Sequence, residues 1–240
     1  MKKGDARRSG LLAAAERLFY SKGYEQTSVQ DILHEVGLSK GGFYHHFDSK
    51  LSVLEAICEL RAQDSCARAA EIICAPEMTA VEKLNAFFHG SALWQSENSG
   101  FVSLLIHVAY REDGALMREK MKDCQLKSLQ EPLESVLAEG AASGEFFVSD
   151  VQSTASLLLR LYMQFTDEVA FLLAEEENAE RMLEEIVRRL TVYRQAIERT
   201  LIAPFGSIVL FEAKELQLLA GNVLRSRLRQ RADAMLGLDK

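Results

Sequence analysis

The stretch TSVQDILHEVGLSKGGFYHHFDSKLSVL, residues 27–54, decides the fold of this chain. Its first part carries a helical stripe of apolar residues that follows a Thr-Ser start and stops at Gly37. The stripe consists of Val29, Ile32, Leu33 and Val36. Ser39 can cap a second short helix, in which Phe43 and Phe47 at i, i+4 form the inward face. The stretch therefore predicts two short helices joined by a tight turn at Gly37.

The outward side of the second helix is small or polar. Relative to the apolar face, the outward and flanking positions are those of Lys40, Gly41, Gly42, Tyr44, His45 and His46. A glycine costs about 1 kcal/mol relative to alanine inside a helix, so two adjacent glycines require a reason such as the close approach of another backbone. Without a Cβ at these positions, a sugar-phosphate backbone can approach the start of the helix, whose N–H groups attract phosphate. This arrangement predicts a recognition helix that enters the DNA major groove.

The rest of the chain predicts an all-α protein. It has three prolines and almost no alternating apolar pattern. A first helix carries the stripe of LLAAAERLF and ends at Gly23, and Ser49 caps a fourth helix that runs to about Pro76. Further amphipathic helices are predicted at about 79–96, 101–112, 115–140 with a kink at Pro132, 150–175 and 178–202, followed by a final segment at 208–236.

Charge is distributed unevenly along the chain. The net charge is -7, but residues 1–50 contain eight basic and six acidic residues, which leaves +2 there and -9 in the remainder. A mildly basic head on an acidic body can face phosphates with one end only. Lys2, Lys3, Arg7 and Arg8 form either a flexible arm that contacts DNA or a solvated tail.

Several classes of protein are disfavoured by pattern. The sequence contains no run of about 18 uncharged apolar residues and no secretory leader, so we expect a cytoplasmic protein that does not enter a membrane. The four cysteines lack the paired spacing of a zinc site and are interpreted as small buried hydrophobes, with a redox-sensing thiol as the alternative. We expect no metal and no cofactor.

The stretch at residues 27–54 resembles the N-terminal helix-turn-helix of the TetR (tetracycline repressor) family. The specific part is S-K-G-x-x-Y-x-H-F-x-S-K from Ser39 to Lys50, preceded by Gly23-Tyr24. The resemblance covers about 50 residues, and the remaining chain is similar only in its layout. It implies a DNA-binding domain at 1–50, a helical effector-binding and dimerisation domain at 51–203, and an additional C-terminal helix at 204–240.

The resemblance also implies which residues contact DNA. They are Thr27, Ser28 and Gln30 at the start of the second helix, Ser39, Lys40, Gly41, Tyr44, His45 and His46 on the recognition helix, and Lys50 at the start of the fourth. The glycine argument adds Gly42. Val29 departs from the family pattern, because a small polar residue often stands there. The implied function is a homodimeric transcription regulator, most simply a repressor, that binds a double-stranded DNA operator.

The body of the chain predicts a cavity for a small apolar or aromatic effector. Rings and thioethers are more frequent on its helices than a small bundle requires. The predicted ligand-binding residues are Phe87, Phe88, Ser91, Trp94, Phe101, Leu104, His107, Tyr110, Met117, Met121, Tyr162 and Met163, with His89, Gln95 and Ser103 as further polar contacts. A dry packed core without a cavity is the alternative.

The last two long helices predict a homodimer built as a four-helix bundle. They carry more apolar surface than one helical stripe needs, at Leu157, Leu158, Leu161, Phe165, Leu172, Leu173, Ile186, Leu190, Tyr193 and Ile197.

Two other functions have less support in the sequence than transcription regulation. A small-molecule enzyme would need an acid/base or metal constellation such as H-E-x-x-H, which the sequence lacks. A membrane-surface protein anchored by the arginine-rich tail has weak support, since Arg225, Arg227, Arg229 and Arg231 do not share one narrow helical face. The sequence therefore predicts a regulator and not an enzyme.

Overall fold

The computed structural model of the chain describes residues 3–73, 77–110, 115–175, 178–212, 214–218, 221–222 and 225. Within these ranges the chain is all-α, as the sequence predicts, and contains no strand. The helices are α1 (Lys3–Ser21), α2 (Val29–Val36), α3 (Lys40–Tyr44), α4 (Lys50–Ile73), α5 (Ala80–Glu97), α6 (Ser99–Ala109), α7 (Ala115–Ser143), α8 (Val151–Glu175) and α9 (Ala179–Leu201). Pro132 lies inside α7, which continues beyond it to Ser143.

Capping residues in the decisive stretch explain why its helices are so short. The Ser28 hydroxyl accepts a hydrogen bond from the Asp31 N–H, and the Asp31 carboxylate accepts one from the Ser28 N–H. Gly37 ends α2 in the left-handed conformation with a φ of 66°, which glycine adopts without steric cost. The Ser39 hydroxyl accepts from the Gly42 N–H at 3.3 Å and so begins α3 at the predicted position.

Two apolar cores organise the chain. The core of the N-terminal head joins α1, α2, α3 and the first half of α4, and it includes Leu11, Phe19, Ile32, Phe43, Leu54 and Ile57. Phe101, Leu104 and Met117 extend the same core into α6 and α7. The second core joins α5, α7, α8 and α9. Because α4 belongs to the head and also packs against α5 and α7, it connects the two parts.

Half of the residues predicted for the dimer face are buried in the core of their own chain, and four more pack against it. Leu158, Phe165, Leu173, Ile186 and Ile197 are buried there, and Leu161, Leu172, Leu190 and Tyr193 pack against the same core. Only Leu157 of the predicted set is exposed. The apolar surplus that suggested a dimer is therefore largely used within the subunit.

The C-terminal segment differs from the predicted helix at 204–240. Residues 203–212 form a non-helical strap, and helix is described only from 214. The Asn85 side chain holds this strap by donating to the Ser207 carbonyl at 2.7 Å and accepting from the Val209 N–H at 2.8 Å. Ile208, Leu210 and Phe211 are buried against the body. The RSRLRQR run lies almost wholly outside the described residues.

None of the helices within the described ranges combines the length and the hydrophobicity needed to cross a bilayer.

Candidate DNA interface and effector cavity

Helix α3 and the turn after it present a polar outer face because Phe43 and Phe47 are fixed inward. Phe43 and Phe47 are buried, with their ring centroids 6.1 Å apart. The opposite side exposes Lys40, Gly41 and His45, together with Tyr44, whose side chain is 48% exposed. The Tyr44 ring packs edge-on against the buried Phe43 ring, with 5.4 Å between their centroids, and this contact orients the Tyr44 hydroxyl. His46 is half-buried beside His45.

Neither glycine of α3 is required by packing within the described chain. A Cβ added at Gly41 would meet no atom within 4 Å, and one added at Gly42 would make only ordinary contacts with Ser39 and Leu38. Neither has the positive φ that favours glycine elsewhere in the chain. The smooth surface of α3 therefore costs helix stability without an internal benefit.

The start of α2 supplies two further exposed side chains, those of Ser28 and Gln30. The Ser28 hydroxyl is engaged in the cap and donates to the Asp31 carboxylate at 2.6 Å. Hydrogen bonds from Ser28 and then from Lys22 lower the pKa of Asp31, so this cap is charged at neutral pH.

Thr27 does not fit the predicted DNA-binding role. Its side chain is 1% exposed, and its hydroxyl donates to the Gly23 carbonyl at 2.7 Å and lies 3.3 Å from the Leu18 carbonyl. The residue closes the loop between α1 and α2, so we remove it from the DNA-binding set.

Lys50 has a structural task that the sequence did not show. Its Nζ donates to the Tyr24 carbonyl at 2.7 Å and to the Glu25 carbonyl at 3.3 Å, and it lies 4.2 Å from the centroid of the Tyr24 ring. Partial burial lowers the pKa of this ammonium, although nearby Glu25 opposes the shift. An ammonium has three N–H donors, and these two hydrogen bonds use two of them.

Among the residues that the structure describes, no group of three His, Cys, Asp or Glu side chains is placed to hold a metal ion.

A cavity of about 140 Å³ lies below the head, between α4, α6, α7 and α8. Each helix contributes residues at helical spacing: Cys58, Arg61 and Ala62 from α4; Phe101, Val102, Leu105 and Ile106 from α6; Arg118, Met121, Lys122 and Gln125 from α7; Met163, Thr166, Asp167 and Ala170 from α8. Tyr110, directly after α6, completes the lining.

A buried carboxylate organises the polar side of this cavity. Asp167 accepts a hydrogen bond from the Tyr110 hydroxyl at 2.7 Å and forms an ion pair with Lys122, whose Nζ lies 2.9 Å from its second oxygen. Burial, followed by the hydrogen bond to Asp167, raises the pKa of Tyr110 well above its usual range, so the phenol stays protonated. Burial also raises the pKa of the Cys58 thiol to about 12, which makes it a poor nucleophile.

One cavity residue also contacts the head. The Arg61 guanidinium donates through Nε at 2.9 Å and through a terminal nitrogen at 2.6 Å to Glu16 of α1. The Tyr20 hydroxyl donates to the same Glu16 oxygen at 2.7 Å. The pair is about one-third exposed at Arg61 and less at Glu16, so it links the cavity wall to α1.

The head matches a known sequence family over the same elements. Residues 11–57 match the model of the bacterial regulatory proteins of the tetR family, which spans α1 through the first part of α4. The N-terminal head, about a fifth of the chain, is therefore similar to the tetR-family regulatory proteins.

Curated relatives of this chain are similar mainly in the head. An HTH-type transcriptional regulator in the lacX 3′ region of Lactococcus lactis is 47% identical over 49 residues, which is 20% of this chain and 25% of that protein. The HTH-type transcriptional repressor KstR2 of Rhodococcus jostii is 33% identical over 101 residues, covering 38% of this chain and 50% of that protein. The chain thus spans half or less of the length of these relatives.

The body shares its fold with solved TetR-family structures. SmeT, described as the repressor of the Stenotrophomonas maltophilia multidrug efflux pump SmeDEF, superposes with a TM-score of 0.56 over 84% of this chain and 93% of SmeT. The sequence identity of 21% shows a common fold alone.

The predicted effector residues separate into four groups. Phe101, Tyr110, Met121 and Met163 line the cavity. Phe87, Phe88, Leu104 and Tyr162 are packed in the cores instead, and Met117 lines a smaller cavity of about 30 Å³ next to Cys58. The side chains of Ser91, Trp94 and His107 lie outside the described part of the chain.

The prediction missed the charged residues of the cavity. Arg118, Met121, Lys122 and Gln125 follow an i, i+3, i+4, i+7 pattern, as do Met163, Thr166, Asp167 and Ala170. Each of these stripes holds charges where a core helix would hold apolar residues. That interruption is the sequence signal that could have identified the site.

Proposed function

We propose that the chain is a homodimeric transcription repressor, which binds a DNA operator through α2 and α3 and is released when a small molecule occupies the cavity. The observation that carries the DNA-binding role is the open surface of Gly41 and Gly42. Because an added Cβ would meet nothing at Gly41 and only ordinary contacts at Gly42, the glycines are best explained by a molecule that approaches from outside.

The chemistry of the exposed face is suited to a phosphate backbone and base edges. Lys40 provides a positive charge at the start of α3, and the Tyr44 hydroxyl and His45 ring extend from its exposed side. Lys40 and Tyr44 are assigned to phosphates, which position the protein, whereas His45 is assigned to a base edge in the major groove. Lys50 is assigned to a further phosphate, which its third N–H group would contact.

The operator follows from the proposed symmetry. A dimer with a two-fold axis requires a roughly palindromic site, with half-sites about one helical turn, roughly 34 to 36 Å, apart or a little more. Repression is supported by the names of relatives: KstR2 is called a repressor, and SmeT is described as one.

Ligand release is supported by the position of the cavity. Helix α4 begins at Lys50 beside the recognition helix and passes the cavity at Cys58 and Arg61. A ligand that prefers one tilt of α4 would change the spacing of the two heads, and only such a preference can shift the equilibrium. A 100-fold preference per dimer corresponds to about 2.7 kcal/mol.

The proposal is tested by substituting the glycines. Sequencing duplex fragments retained by the purified chain supplies an operator, whose affinity is then measured for Gly41→Ala, Gly42→Ala and Tyr44→Ala. We expect each to weaken binding at least about tenfold, the loss of one good contact, while the glycine variants unfold at the same or higher temperature because alanine favours helix.

Gly10→Ala in α1 is the matched control, since a Cβ there also meets no atom within 4 Å. It should leave operator affinity unchanged. Unchanged affinity in all three α3 variants would refute the assignment of this helix as the DNA-reading element.

A further inference from the structure

The effector cavity has more basic than acidic lining residues. Three cationic side chains, those of Arg61, Arg118 and Lys122, line it together with one carboxylate, that of Asp167. In a partly buried site such an imbalance favours an anion, because the charges are less screened there than at the surface.

Two of these cations already have carboxylate partners. Lys122 pairs with Asp167 inside the cavity, and its Nζ lies 3.6 Å from Glu119. Arg61 pairs with Glu16 of α1 at 2.6 Å. Asp167 is also satisfied on both oxygens, by Tyr110 and Lys122, so its charge is compensated before any ligand enters.

Arg118 is different. Among the described residues, no carboxylate lies within ion-pair distance of its guanidinium, and its hydrogen-bond acceptor there is the Ala109 carbonyl. The guanidinium carbon lies 5.4 Å from the centroid of Tyr110 and 5.1 Å from that of Phe171, so the group packs against both aromatic rings. A guanidinium has five N–H donors, and the fork can bind a carboxylate through two parallel hydrogen bonds.

We propose that the effector is a small carboxylic acid with an aromatic or short aliphatic body, whose carboxylate binds Arg118. The inference rests on the proposed ligand-binding role of this cavity and adds the chemical class of the ligand. A cationic effector is disfavoured, because it would meet three like charges and a carboxylate that is already paired.

The size and lining of the cavity define the body of the acid. Apolar cavities of about 150 Å³ admit a molecule of the size of benzene, and this one measures about 140 Å³. Phe101, Ile106 and Met163 line it together with Ala170 and Met121. A single ring or a chain of comparable volume fits between them, with the carboxylate directed to Arg118.

The test compares acids with their neutral amides on the full chain. Benzoate, phenylacetate and hexanoate are titrated against benzamide, phenylacetamide and hexanamide by calorimetry, with concentrations up to about 1 mM to capture weak binding. At least one acid should bind at least about tenfold more tightly than its amide, since the pair differs mainly in the charge that Arg118 would recognise.

Three variants locate the effect. Arg118→Gln should abolish the preference for the acid, and Arg118→Lys should retain part of it because it keeps the charge but loses the planar fork. Lys127→Gln removes an exposed charge from the same helix and should change nothing. Circular dichroism verifies that each variant is folded, and the acid-amide comparison on the unmodified chain does not depend on them.

Equal binding of acid and amide, binding of amides alone, no binding of any acid, or an Arg118→Gln variant that keeps the full preference would each overturn the proposal. Operator binding measured in parallel separates it from the proposed function. A chain that binds its operator and is released equally by amides retains the function and loses the ligand class. A chain that selects acids but binds no operator supports the ligand class and contradicts the proposed function.

Discussion

Lys50 illustrates how one residue can serve both the fold and a proposed contact. Its ammonium joins the start of α4 to the carbonyls of Tyr24 and Glu25 in the loop after α1. Lys40, ten residues earlier, is exposed, and its side chain forms no hydrogen bond or ion pair with any other described residue. Comparing the two lysines therefore separates a contribution to the stability of the fold from a contribution to operator binding.

Lys50→Ala should lower the free energy of unfolding by about 1 to 2 kcal/mol, because two hydrogen bonds from a charged donor are lost. Lys40→Ala should change it by less than about 0.5 kcal/mol, as is usual for exposed positions. Both should weaken operator binding and reduce its salt dependence. Urea denaturation and fluorescence anisotropy at several salt concentrations measure the two effects. Equal stability of the two variants would contradict the role of Lys50 in joining α4 to the loop.

At the scale of elements, the packing of α7 against the turn that follows it leaves no room for a side chain at Gly140. A Cβ at this position would overlap the Phe146 ring and approach Ala80 of α5 to 2.9 Å. The Gly140 carbonyl also accepts the N–H groups of Glu145 and Phe146. The turn then lets Glu145 accept from the first N–H groups of α5.

Gly140→Ala should destabilise the chain by about 1 to 3 kcal/mol, the usual cost of overpacking, despite the better helix propensity of alanine. Gly10→Ala, in α1, should instead raise stability by up to about 1 kcal/mol, since its added methyl group meets open space. Thermal and urea unfolding monitored by circular dichroism compare the two. A neutral Gly140→Ala substitution would show that Phe146 can move aside.

The connection between α1 and α4 is a second element-scale feature. Glu16 accepts hydrogen bonds from both Arg61 and Tyr20, whereas the Arg17–Glu35 pair of the same head is exposed on both sides. Glu16→Gln should lower the free energy of unfolding by about 1 to 3 kcal/mol and reduce the change in operator affinity that an effector produces. Glu35→Gln should do neither, because exposed pairs contribute little. An effector response in Glu16→Gln that equals that of the unmodified chain would exclude this pair from the coupling.

At the scale of the whole molecule, the proposed dimer depends on the apolar residues that the subunit leaves exposed. On α8 and α9 these include Leu157 and Val187, which are 46% and 50% exposed. Leu157→Glu and Val187→Glu should shift the sedimentation coefficient toward that of a monomer and weaken operator binding, because a charge in an apolar interface stays unpaired. Leu60→Glu on α4, where the leucine is equally exposed at 46%, is the matched control. A dimer that survives both bundle substitutions would place the interface elsewhere.

The sequence alone determined the head of this protein, because caps, turn glycines and helical stripes act over short distances. Ser28, Gly37 and Ser39 each set a helix boundary through neighbours within five residues. The all-α class followed from periodicity in the same way. The burial of Thr27 and the structural role of Lys50 were not predicted, because both depend on how the loop after α1 folds back on its neighbours.

The tertiary structure decided the cavity and the exposed surface of the body. Periodicity shows that a helix has an apolar side but not which neighbour covers it, and half of the residues assigned to the dimer are buried in the core of the subunit. The strap at 203–212 is held by Asn85, which lies more than 120 residues earlier in the chain, so local sequence could not predict it. Likewise Arg61, Arg118 and Asp167 are far apart in sequence, and only the packing of α4, α7 and α8 brings their charges to one site.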